Sequence, residues 1–325
     1  MQPITEDWFA RRTWQIPDWT VEDLVAAKGG RKVSVVLPAL NEEATIGAIV
    51  AGIRPFTEGD EPLVDDLLVM DSGSTDATIA IARENGARVA LRTDVVSHLE
   101  PVPGKGEVLW RSLAATDGDV ICFIDSDLVD FDPGFVPSLL GPLLTAPDVA
   151  LVKGFYRRPL RLEVSDAEAL EHGGGRVTEL VARPLLSALR PELAGIVQPL
   201  GGEYAGTREL LEAVPFATSY GVEIGLLLDT VSTLGLDAIA QVNLGVRKHR
   251  NRNLLQLGVM ASQILGTMLR RCGIPADNTE LTQFVQVAGE WLPDTTDVLV
   301  ADRPAMATLR PSGGRPRPGR AGWPG

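Results

Sequence analysis

Cysteine is scarce in this chain: its 325 residues include only Cys122 and Cys272. Two cysteines do not make a disulfide framework, and Cys122 lies inside an apolar run that predicts a buried strand. At 45% hydrophobic residues, the chain can instead bury a large apolar core. This cysteine usage fits a reducing compartment, so we expect a cytoplasmic protein.

Long hydrophobic runs are also lacking. No stretch approaches the ~20 consecutive apolar residues that a membrane-spanning helix needs. The first twelve residues are polar and contain acids, without the apolar segment of a secretory signal. We therefore expect a soluble protein without a membrane span.

Basic residues are outnumbered: 30 Lys and Arg stand against 43 Asp and Glu, a formal net charge of −13. General nucleic-acid binding needs a basic surface that displaces counterions from phosphates, so this class is disfavoured and we expect no nucleic-acid partner. A small anionic substrate stays compatible with this balance, because a few local Arg and Lys residues suffice to bind it.

Strand and helix signals alternate along the first half of the chain. The patterns predict strands over 33–37, 67–70, 87–91 and 120–124, and helices over 42–53, 75–85 and 106–116. Further strands are predicted over 149–152 and 238–246, and further helices over 176–189, 222–234 and 254–271. This alternation is typical of right-handed βαβ units, so we predict an α/β fold with a mainly parallel central sheet.

The predicted organisation has four parts. Residues 1–30 form an N-terminal extension, and 31–240 form the α/β domain that holds the substrates. Residues 241–310 form a smaller, mostly helical C-terminal region that completes the site and contributes to a dimer contact. Residues 311–325 are rich in Gly, Pro and Arg, a composition typical of a disordered tail.

Two acids one residue apart, Asp125 and Asp127, follow the apolar run at 120–124. Ligands of open α/β sheets collect outside the carboxyl ends of the strands. Two carboxylates there offer hard oxygen ligands for Mg²⁺ or Mn²⁺, which in turn favour a diphosphate. The alternative is that both acids only cap the next helix or stay solvated.

Polar residues follow two other predicted strands. Pro38, Asn41 and Glu42 come after the first, where a dinucleotide-binding fold would place G-x-G-x-x-G, so a hydride-transfer enzyme is disfavoured. The segment DSGSTD at 71–76 follows the second. Each segment could simply cap a helix. Polar tips on three successive strands, however, are what a nucleotide pocket needs.

Two glycine-flanked cations complete the pattern. Lys105 lies between Gly104 and Gly106 at a helix start, which favours an anion, although the segment is no Walker A loop. Gly175 ends a run of three glycines that leads into Arg176, where helix N–H groups and a guanidinium suit a carboxylate or phosphate. The alternatives are a surface loop for the first and a flexible turn for the second.

Together these motifs resemble the GT-A glycosyltransferases: LPALNE at 37–42, DSGSTD at 71–76, GKG at 104–106 and DSD at 125–127. Three later blocks resemble the actinobacterial glucosyl-3-phosphoglycerate synthases: GGGRVTEL at 173–180, GVEIG at 221–225 and NLGVRKHRN at 243–251. The resemblance runs from about Trp14 to Arg310. The loop at 58–62 and the C-terminal tail depart from the family pattern but lie outside these blocks.

The resemblance implies a GT-A fold and a retaining transfer of glucose from UDP-glucose to the 2-hydroxyl of 3-phosphoglycerate. The product would be the first intermediate towards methylglucose lipopolysaccharide. The resemblance also implies Mg²⁺ as cofactor, with Mn²⁺ or another divalent cation able to substitute, and a homodimer formed through the C-terminal region.

The resemblance also implies residue roles. Uracil and ribose would contact Pro38, Ala39, Leu40 and Glu42, and UDP would contact Ser72 and Lys105. Asp125 and Ser126 would border ribose and diphosphate, with Arg247 near the diphosphate. The metal would be bound by Asp127 and His249. The acceptor would contact Gly175, Arg176, Val177, Thr178 and Asn251.

Glu223 falls inside an apolar helix, where an unpaired acid is costly, so it is either salt-bridged or faces the pocket. We predict Glu223 and Asp127 as the two catalytic residues. For Glu223 the preferred role is to orient the donor glucose, and a nucleophilic role stays open. Three other functions also stay open: a mannosyl-3-phosphoglycerate synthase that uses GDP-mannose, a sugar nucleotidyltransferase, and a non-catalytic sugar-nucleotide sensor.

Overall fold

The computed structural model describes residues 1–157, 175–246, 253–276 and 279–309. Twelve strands lie in these ranges: β1 Thr13–Trp14, β2 Val33–Ala39, β3 Asp66–Asp71, β4 Arg88–Leu91, β5 Val120–Phe123, β6 Leu151–Arg157, β7 Tyr204–Thr207, β8 Phe216–Ala217, β9 Ile239–Val246, β10 Glu280–Val287, β11 Glu290–Asp297 and β12 Asp302–Arg303.

The α-helices of the described ranges are α1 Pro3–Arg12, α2 Val21–Lys28, α3 Ile46–Ile53, α4 Thr78–Glu84, α5 Lys105–Ala115, α6 Phe135–Thr145, α7 Arg183–Leu189, α8 Arg208–Ala213, α9 Val222–Leu234 and α10 Leu254–Arg271. Short 3₁₀ segments cover Arg54–Thr57, Pro191–Leu193, Leu236–Ala238 and Met306–Leu309, and a π-helical turn covers Thr178–Ala182.

Eight strands form the central sheet in the order β1-β9-β6-β7-β5-β2-β3-β4. Strand β7 runs antiparallel to both of its neighbours, β5 and β6, and the other pairings of this sheet are parallel. The mainly parallel sheet predicted from the alternating pattern is therefore confirmed. The sequence analysis did not predict β7, whose four residues give a weak periodic signal.

Apolar residues cover both faces of this sheet, as a parallel sheet in an α/β fold requires. Along β2, Val35 and Leu37 belong to one core layer, while Val36 belongs to the layer on the opposite face. Strand β5 alternates in the same way, with Cys122 in the first layer and Phe123 in the second. Because neither face of the sheet is open, a ligand can approach only at the strand ends.

Residues 1–30, predicted as an extension, are joined closely to the domain. Strand β1 pairs in parallel with β9 and so forms one edge of the central sheet. Trp8 in α1 is buried, and its indole Nε1 donates a hydrogen bond to the Ile239 carbonyl at 2.9 Å. The segment is therefore part of the α/β core rather than an appendage.

The C-terminal region, predicted as mostly helical, combines α10 with an antiparallel hairpin of β10 and β11. The two turn residues, Ala288 and Gly289, have φ values of 50° and 90°. Such turns are usually Asn-Gly or Asp-Gly, and alanine at this position gave no turn signal in the sequence. The tail at 311–325 lies outside the described residues. Within the described ranges, no helix is long and apolar enough to cross a membrane.

Candidate active site

The polar strand ends meet at one edge of the sheet, as predicted. Strands β2 and β3 are parallel and pair Ala39 with Asp71, the last residue of each. Strand β5 continues this edge, because the Ile124 amide donates to the Val36 carbonyl at 3.1 Å, and Asp125 follows directly. The carboxyl ends of three neighbouring strands therefore bring Ala39, Asp71 and Asp125 to one side of the molecule.

The loops that follow β2 and β3 are bound to each other. The Asn41 carboxamide accepts a hydrogen bond from the Thr75 amide at 2.9 Å, and the Asn41 amide donates to the Ser74 hydroxyl at 2.9 Å. The Glu42 amide donates to the Thr78 hydroxyl at 2.8 Å. These contacts explain why α3 begins at Ile46 rather than at residue 42: the residues before it are used to join the two loops.

Two predicted base contacts stay accessible above these loops. Leu40 is 53% exposed, unusual for a leucine beside a core strand, and Pro38 is partly exposed. Ala39 is buried at the strand end. The Glu42 side chain is partly exposed beside them. This surface is apolar with one adjacent carboxylate, which matches the chemistry of a base joined to a ribose.

Asp71 shapes the second loop. Its Oδ2 accepts hydrogen bonds from the Gly73 and Ser74 amides at 2.7 and 2.9 Å, which closes a tight turn. Its Oδ1 is buried and has no hydrogen-bond partner among the described residues. Ser72, the predicted UDP contact, is carried on this turn and is partly exposed.

Lys105 joins two acids from distant parts of the chain. Its Nζ lies 2.6 Å from Asp125 Oδ1, at the end of β5, and 2.8 Å from Glu223 Oε1, in the first turn of α9. Both were predicted for the donor side of the site, and the structure brings them to the same ammonium group. Of the two alternatives for Glu223, a salt bridge or a position facing the pocket, the salt bridge is present.

Burial alone would lower the pKa of Lys105, but the charges of Asp125 and Glu223 raise it by a larger amount. The pKa of Lys105 therefore lies well above its usual value. The lysine is therefore an ammonium at any physiological pH. Held between two acids and partly exposed, it can exchange these partners for another anion without a change of protonation state.

The two glycines around Lys105 have a role that the sequence analysis did not predict. A side chain at Gly104 would overlap the Thr218 carbonyl, and one at Gly106 would overlap the Ala217 carbonyl. Gly104 also has a φ of 124°. The glycines therefore let the start of α5 pack against the end of β8 and the residue after it, which places Lys105 beside Glu223. Close approach to a ligand is not needed to explain them.

Ser126 and Asp127 differ in orientation. The Ser126 hydroxyl is buried and donates to the Pro38 carbonyl at 2.5 Å, while its own carbonyl accepts from the Thr45 hydroxyl at 2.6 Å. Ser126 therefore ties the end of β5 to β2. Asp127 is partly exposed at the same edge.

Asp127 fits a divalent-cation site of the kind that shares its ion with a diphosphate. Such sites hold the ion with one or two carboxylates, and the substrate phosphates and waters supply the other ligands. No group of three or more His, Cys, Asp or Glu suited to a metal occurs in the described part of the chain. The second predicted ligand, His249, lies outside it, as do Arg247 and Asn251.

The direction of the strand before these residues is described. Strand β9 pairs in parallel with β6 and runs to Val246. It therefore points towards the same edge as β2, β3 and β5. Residues 247–251 follow directly from this strand end.

Four of the five predicted acceptor residues, from Gly175 to Thr178, lie on one turn. Gly175 has a φ of 80°, which disfavours any other residue there, and Arg176 beside it is exposed. Val177 and Thr178 are buried and anchor the turn to the core layer that also contains Ile224 of α9. The π-helical turn Thr178–Ala182 follows, an irregularity that is frequent at functional sites.

Sequence reasoning missed a second buried lysine beneath the site. Lys153 lies within β6, is 2% exposed, and donates to the Gly201 carbonyl. Its Nζ lies 4.6 Å from the centre of the Tyr204 ring. Burial lowers its pKa to about 8, while the carboxylates of Glu223 and Glu203 oppose that effect. The sequence signal that could have identified Lys153 is a lysine inside an otherwise apolar predicted strand.

Tyr204 adds a polar group to this buried layer. Its hydroxyl has no hydrogen-bond partner among the described residues. Burial, followed by the charge of Glu223, raises the pKa of this phenol well above its usual value. We refer to Lys153 and the four charged residues that act on it electrostatically as the donor cluster: Lys105, Asp125, Lys153, Glu203 and Glu223.

A different set of charges holds α5 in place, and we call it the Glu107 cluster: Glu107, Arg111 and Arg303. Glu107 Oε1 accepts from Arg111 Nε at 2.7 Å, and Glu107 Oε2 accepts from Arg303 Nε at 2.6 Å. Arg111 also donates to the carbonyls of Val95, Val96 and Leu99. Through Arg303, the C-terminal region is anchored to the helix that carries Lys105.

Known proteins are similar to this chain over most of its length. The sequence profile of glycosyl transferase family 2 matches residues 34–180. The glucosyl-3-phosphoglycerate synthase of Mycolicibacterium smegmatis is 62% identical over 304 residues, which cover 94% of this chain and 98% of that protein.

Two solved structures of glucosyl-3-phosphoglycerate synthase from Mycobacterium tuberculosis are also similar. One is a complex with Mn²⁺, UDP-glucose and phosphoglyceric acid, with a TM-score of 0.83 and 56% identity, covering 92% of this chain and 98% of that one. The other is a complex with Mg²⁺ and UDP, with a TM-score of 0.83 and 56% identity, covering 92% and 99%. The predicted GT-A fold is confirmed, and the chain belongs to the family of glucosyl-3-phosphoglycerate synthases.

Proposed function

We propose that this chain transfers glucose from UDP-glucose to the 2-hydroxyl of 3-phosphoglycerate, with retention of the anomeric configuration and release of UDP. The observation that carries this conclusion is the Lys105 ammonium, held between Asp125 and Glu223 at the carboxyl edge of the sheet. It occurs in a chain that matches a glucosyl-3-phosphoglycerate synthase over nearly its whole length.

The donor half of the proposed site follows from the strand ends. Uracil and ribose would pack on Pro38, Ala39 and Leu40, beside Glu42. The diphosphate would lie over Ser72, Lys105 and Asp125, with Arg247 adding charge. Because the Ser126 hydroxyl is used inside the fold, this residue would border the ribose through its backbone.

The chemical step breaks the bond between C1 of glucose and the UDP oxygen and forms one from C1 to the acceptor oxygen. The proton of the acceptor hydroxyl would pass to the departing diphosphate oxygen. Negative charge grows on the departing diphosphate, and Lys105 lies where it can stabilise that charge. A divalent cation, held by Asp127 and His249 with Mg²⁺ or Mn²⁺ both suitable, would add Lewis-acid stabilisation of the same oxygens. Relatives in this family have been solved with each of these ions and UDP or UDP-glucose.

Glu223 is better suited to orienting the sugar than to attacking it. Its carboxylate accepts a 2.8 Å hydrogen bond from Lys105 and is 5% exposed, so it is not poised as a free nucleophile. A carboxylate fixed in this way can accept hydrogen bonds from sugar hydroxyls. We therefore assign Glu223 a positioning role towards the donor glucose.

The acceptor would bind at the turn from Gly175 to Thr178. Arg176 is exposed there, and its guanidinium suits a carboxylate or phosphate. The left-handed Gly175 opens the turn so that backbone N–H groups can face an anion. Val177 and Thr178 would hold the turn in place, and Asn251 would contribute from the segment after β9.

A product assay tests the proposed function. UDP-glucose and GDP-mannose are each supplied with 3-phosphoglycerate and Mg²⁺, and products are identified by mass spectrometry. We expect glucosyl-3-phosphoglycerate and UDP from the first pair and no hexosyl product from the second. Mannosyl-3-phosphoglycerate as the main product would overturn the donor assignment. Pyrophosphate released from UTP and glucose-1-phosphate would favour a nucleotidyltransferase, and absence of any turnover a sensor.

We also propose a homodimer through the C-terminal region, from 241 to 310, which would complete the site that 31–240 provides for both substrates. The hairpin exposes large apolar side chains, including Phe284 at 60% and Trp291 at 68%, and such patches commonly mark protein contacts. Light scattering after size-exclusion chromatography should give twice the chain mass. Trp291→Glu should shift it to a monomer, whereas a monomeric wild type would contradict the proposal.

Two further proposals concern the cell. Both cysteines of the chain, Cys122 and Cys272, are free thiols, which supports a cytoplasmic location. The product is proposed to be the first intermediate towards methylglucose lipopolysaccharide. Deletion of the gene should deplete that polymer, and an unchanged amount of it would contradict this placement.

A further inference from the structure

We propose that Lys153 is a positioning residue for the donor half of the site: from beneath, its ammonium group fixes the Gly201–Gly202 backbone against the carboxylate of Asp125. The inference rests on the proposed function, because that function assigns Asp125 to the donor. It adds to the site a lysine that the proposed chemistry does not use.

The position of Lys153 is fixed by two strands. Strand β6 pairs antiparallel with β7, with Lys153 opposite Tyr204. The side chain extends under the Tyr204 ring, with Nζ 4.6 Å from the ring centre, and donates to the Gly201 carbonyl. A side chain that is 2% exposed and held by a carbonyl and a ring has little freedom to move.

The segment that Lys153 holds also contacts the Asp125 carboxylate. A side chain at Gly202 would overlap the Asp125 carboxylate, so the bare backbone of Gly202 faces that carboxylate directly. The next residue is fixed as well, because the Glu203 carbonyl accepts from the Gly154 amide at 2.9 Å. Lys153, Gly201, Gly202 and Asp125 thus form a continuous line of contacts from the core to the site.

The charge of Lys153 also matters in this position. The donor cluster contains three acids, Asp125, Glu203 and Glu223, and two ammonium groups, Lys105 and Lys153. The acids act on Lys153 electrostatically, as does the ring of Tyr204 beneath which it lies. When Lys105 turns from its two acids to a diphosphate, Lys153 is the cation that stays fixed among these carboxylates.

The test compares Lys153→Met with a matched control, Lys28→Met. Methionine keeps the unbranched apolar stem of lysine as far as Cε but removes the ammonium group and its hydrogen bond. Lys28 is also buried, donates to the Pro62 carbonyl at 2.7 Å and pairs with Asp65 at 2.6 Å, but it lies at the amino end of β3, opposite the site.

We expect Lys153→Met to lower kcat/KM for UDP-glucose by about 10-fold or more, with KM for 3-phosphoglycerate changed by less than about twofold. Lys28→Met also removes a buried charge, but it should change kcat/KM for UDP-glucose and KM for 3-phosphoglycerate by less than about twofold. Donor constants equal to wild type in Lys153→Met would overturn the proposal. Equal losses in the two variants would also overturn it, because they would indicate a general effect of removing a buried lysine.

A second variant serves if Lys153→Met does not fold. Gly202→Ala leaves Lys153 in place and pushes the Asp125 carboxylate away from the backbone. We expect the same donor-specific loss of about 10-fold, and wild-type constants in this variant would overturn the proposal.

Calorimetric titration of UDP with Mn²⁺, without any acceptor, separates this inference from the proposed function. A wild type that binds UDP but does not glucosylate 3-phosphoglycerate would refute the proposed function only. UDP affinity that falls in Lys153→Met and not in Lys28→Met supports the inference. UDP affinity equal to wild type in both variants refutes it.

Discussion

The Glu107 cluster and the donor cluster are both made of largely buried charges in or next to α5, yet they are bonded differently. In the Glu107 cluster both carboxylate oxygens accept from guanidinium groups, and both terminal nitrogens of Arg111 donate to backbone carbonyls. In the donor cluster Lys105 and Asp125 are partly exposed, and the Tyr204 hydroxyl beside them has no partner in the described ranges.

The difference shows which of two similar groups is built for stability and which for a ligand. Saturated hydrogen bonds fix the side chains and leave no capacity for another molecule. Partly exposed charges beside a hydroxyl without a hydrogen-bond partner can still bind a ligand, but the missing hydrogen bond lowers the stability of the fold. We therefore expect substitutions in the Glu107 cluster to change mainly the free energy of unfolding, and those at the donor side to change mainly turnover.

The largest expected effect is on turnover. Asp127→Ala should lower kcat by about 1,000-fold or more, because it removes a proposed ligand of the divalent cation. Asp132→Ala is the matched control: Asp132 lies in the same loop, exposed, and accepts from the Gly134 amide at 2.9 Å. Steady-state kinetics with Mg²⁺ measure both, and an active Asp127→Ala would remove this residue from the site.

The next effect is on stability. Glu107→Ala should lower the free energy of unfolding by about 3–5 kcal/mol, because it leaves Arg111 and Arg303 without their carboxylate. Asp117→Asn, which breaks the exposed 2.6 Å pair with Lys32, should change it by less than about 1 kcal/mol. Urea unfolding gives these values. The comparison of the two clusters fails if Glu107→Ala stays as stable as the control.

A smaller effect is expected at the acceptor turn. Arg176→Ala should raise KM for 3-phosphoglycerate by about 10- to 100-fold, the cost of losing a hydrogen bond to a charged group. KM for UDP-glucose should stay the same. Arg183→Ala, whose guanidinium pairs with Glu179 and the Val197 carbonyl, serves as control. If Arg176→Ala impairs only the use of UDP-glucose, the acceptor assignment is wrong.

The smallest effect is a pH dependence. The pKa of Lys153 is lowered to about 8, so its ammonium predominates below that pH and is lost as pH rises through it. kcat/KM for UDP-glucose should therefore fall above pH 8 and approach the value of Lys153→Met, which should lack this decline. The groups that face Lys153 are Glu203, Glu223, Asp125, Lys105 and Tyr204.

Stability should change in the opposite direction over the same range. A lysine whose folded-state pKa is lowered binds fewer protons folded than unfolded, so its contribution to stability rises with pH above about 8. Thermal unfolding at each pH therefore separates lost activity from lost structure. Activity that falls only where the protein unfolds would contradict the role of Lys153.

Local signals predicted part of the regular elements, and helices α1, α2, α6 and α8 were not predicted. Helices Val222–Leu234 and Leu254–Arg271 match the predicted bounds, the second because Asn253 and Gln256 form a capping box at its start. The start of α3 was misplaced because Glu42 and Glu43 bond to the neighbouring loop, a contact that no local pattern encodes. Strand β7 was not predicted because its four residues show no clear period. The hairpin was not predicted because its turn lacks the usual Asn-Gly or Asp-Gly residues.

The chemistry was predictable only in part. Acids after an apolar run locate the edge of the sheet, since parallel strands end together. Lys105 contacts Glu223, 118 residues later in the chain, because two glycines let α5 pack against Ala217 and Thr218. Residue spacing in the sequence does not predict a contact between residues so far apart. The roles of Arg247, His249 and Asn251 stay predictions from family resemblance.

The most direct measurement of the central claim is a crystal structure of this chain with UDP-glucose and Mn²⁺. We predict that the diphosphate lies over Lys105 and beside Asp125, with the metal on Asp127 and the glucose next to Glu223. A donor bound elsewhere, with Lys105 still held between its two acids, would contradict the account.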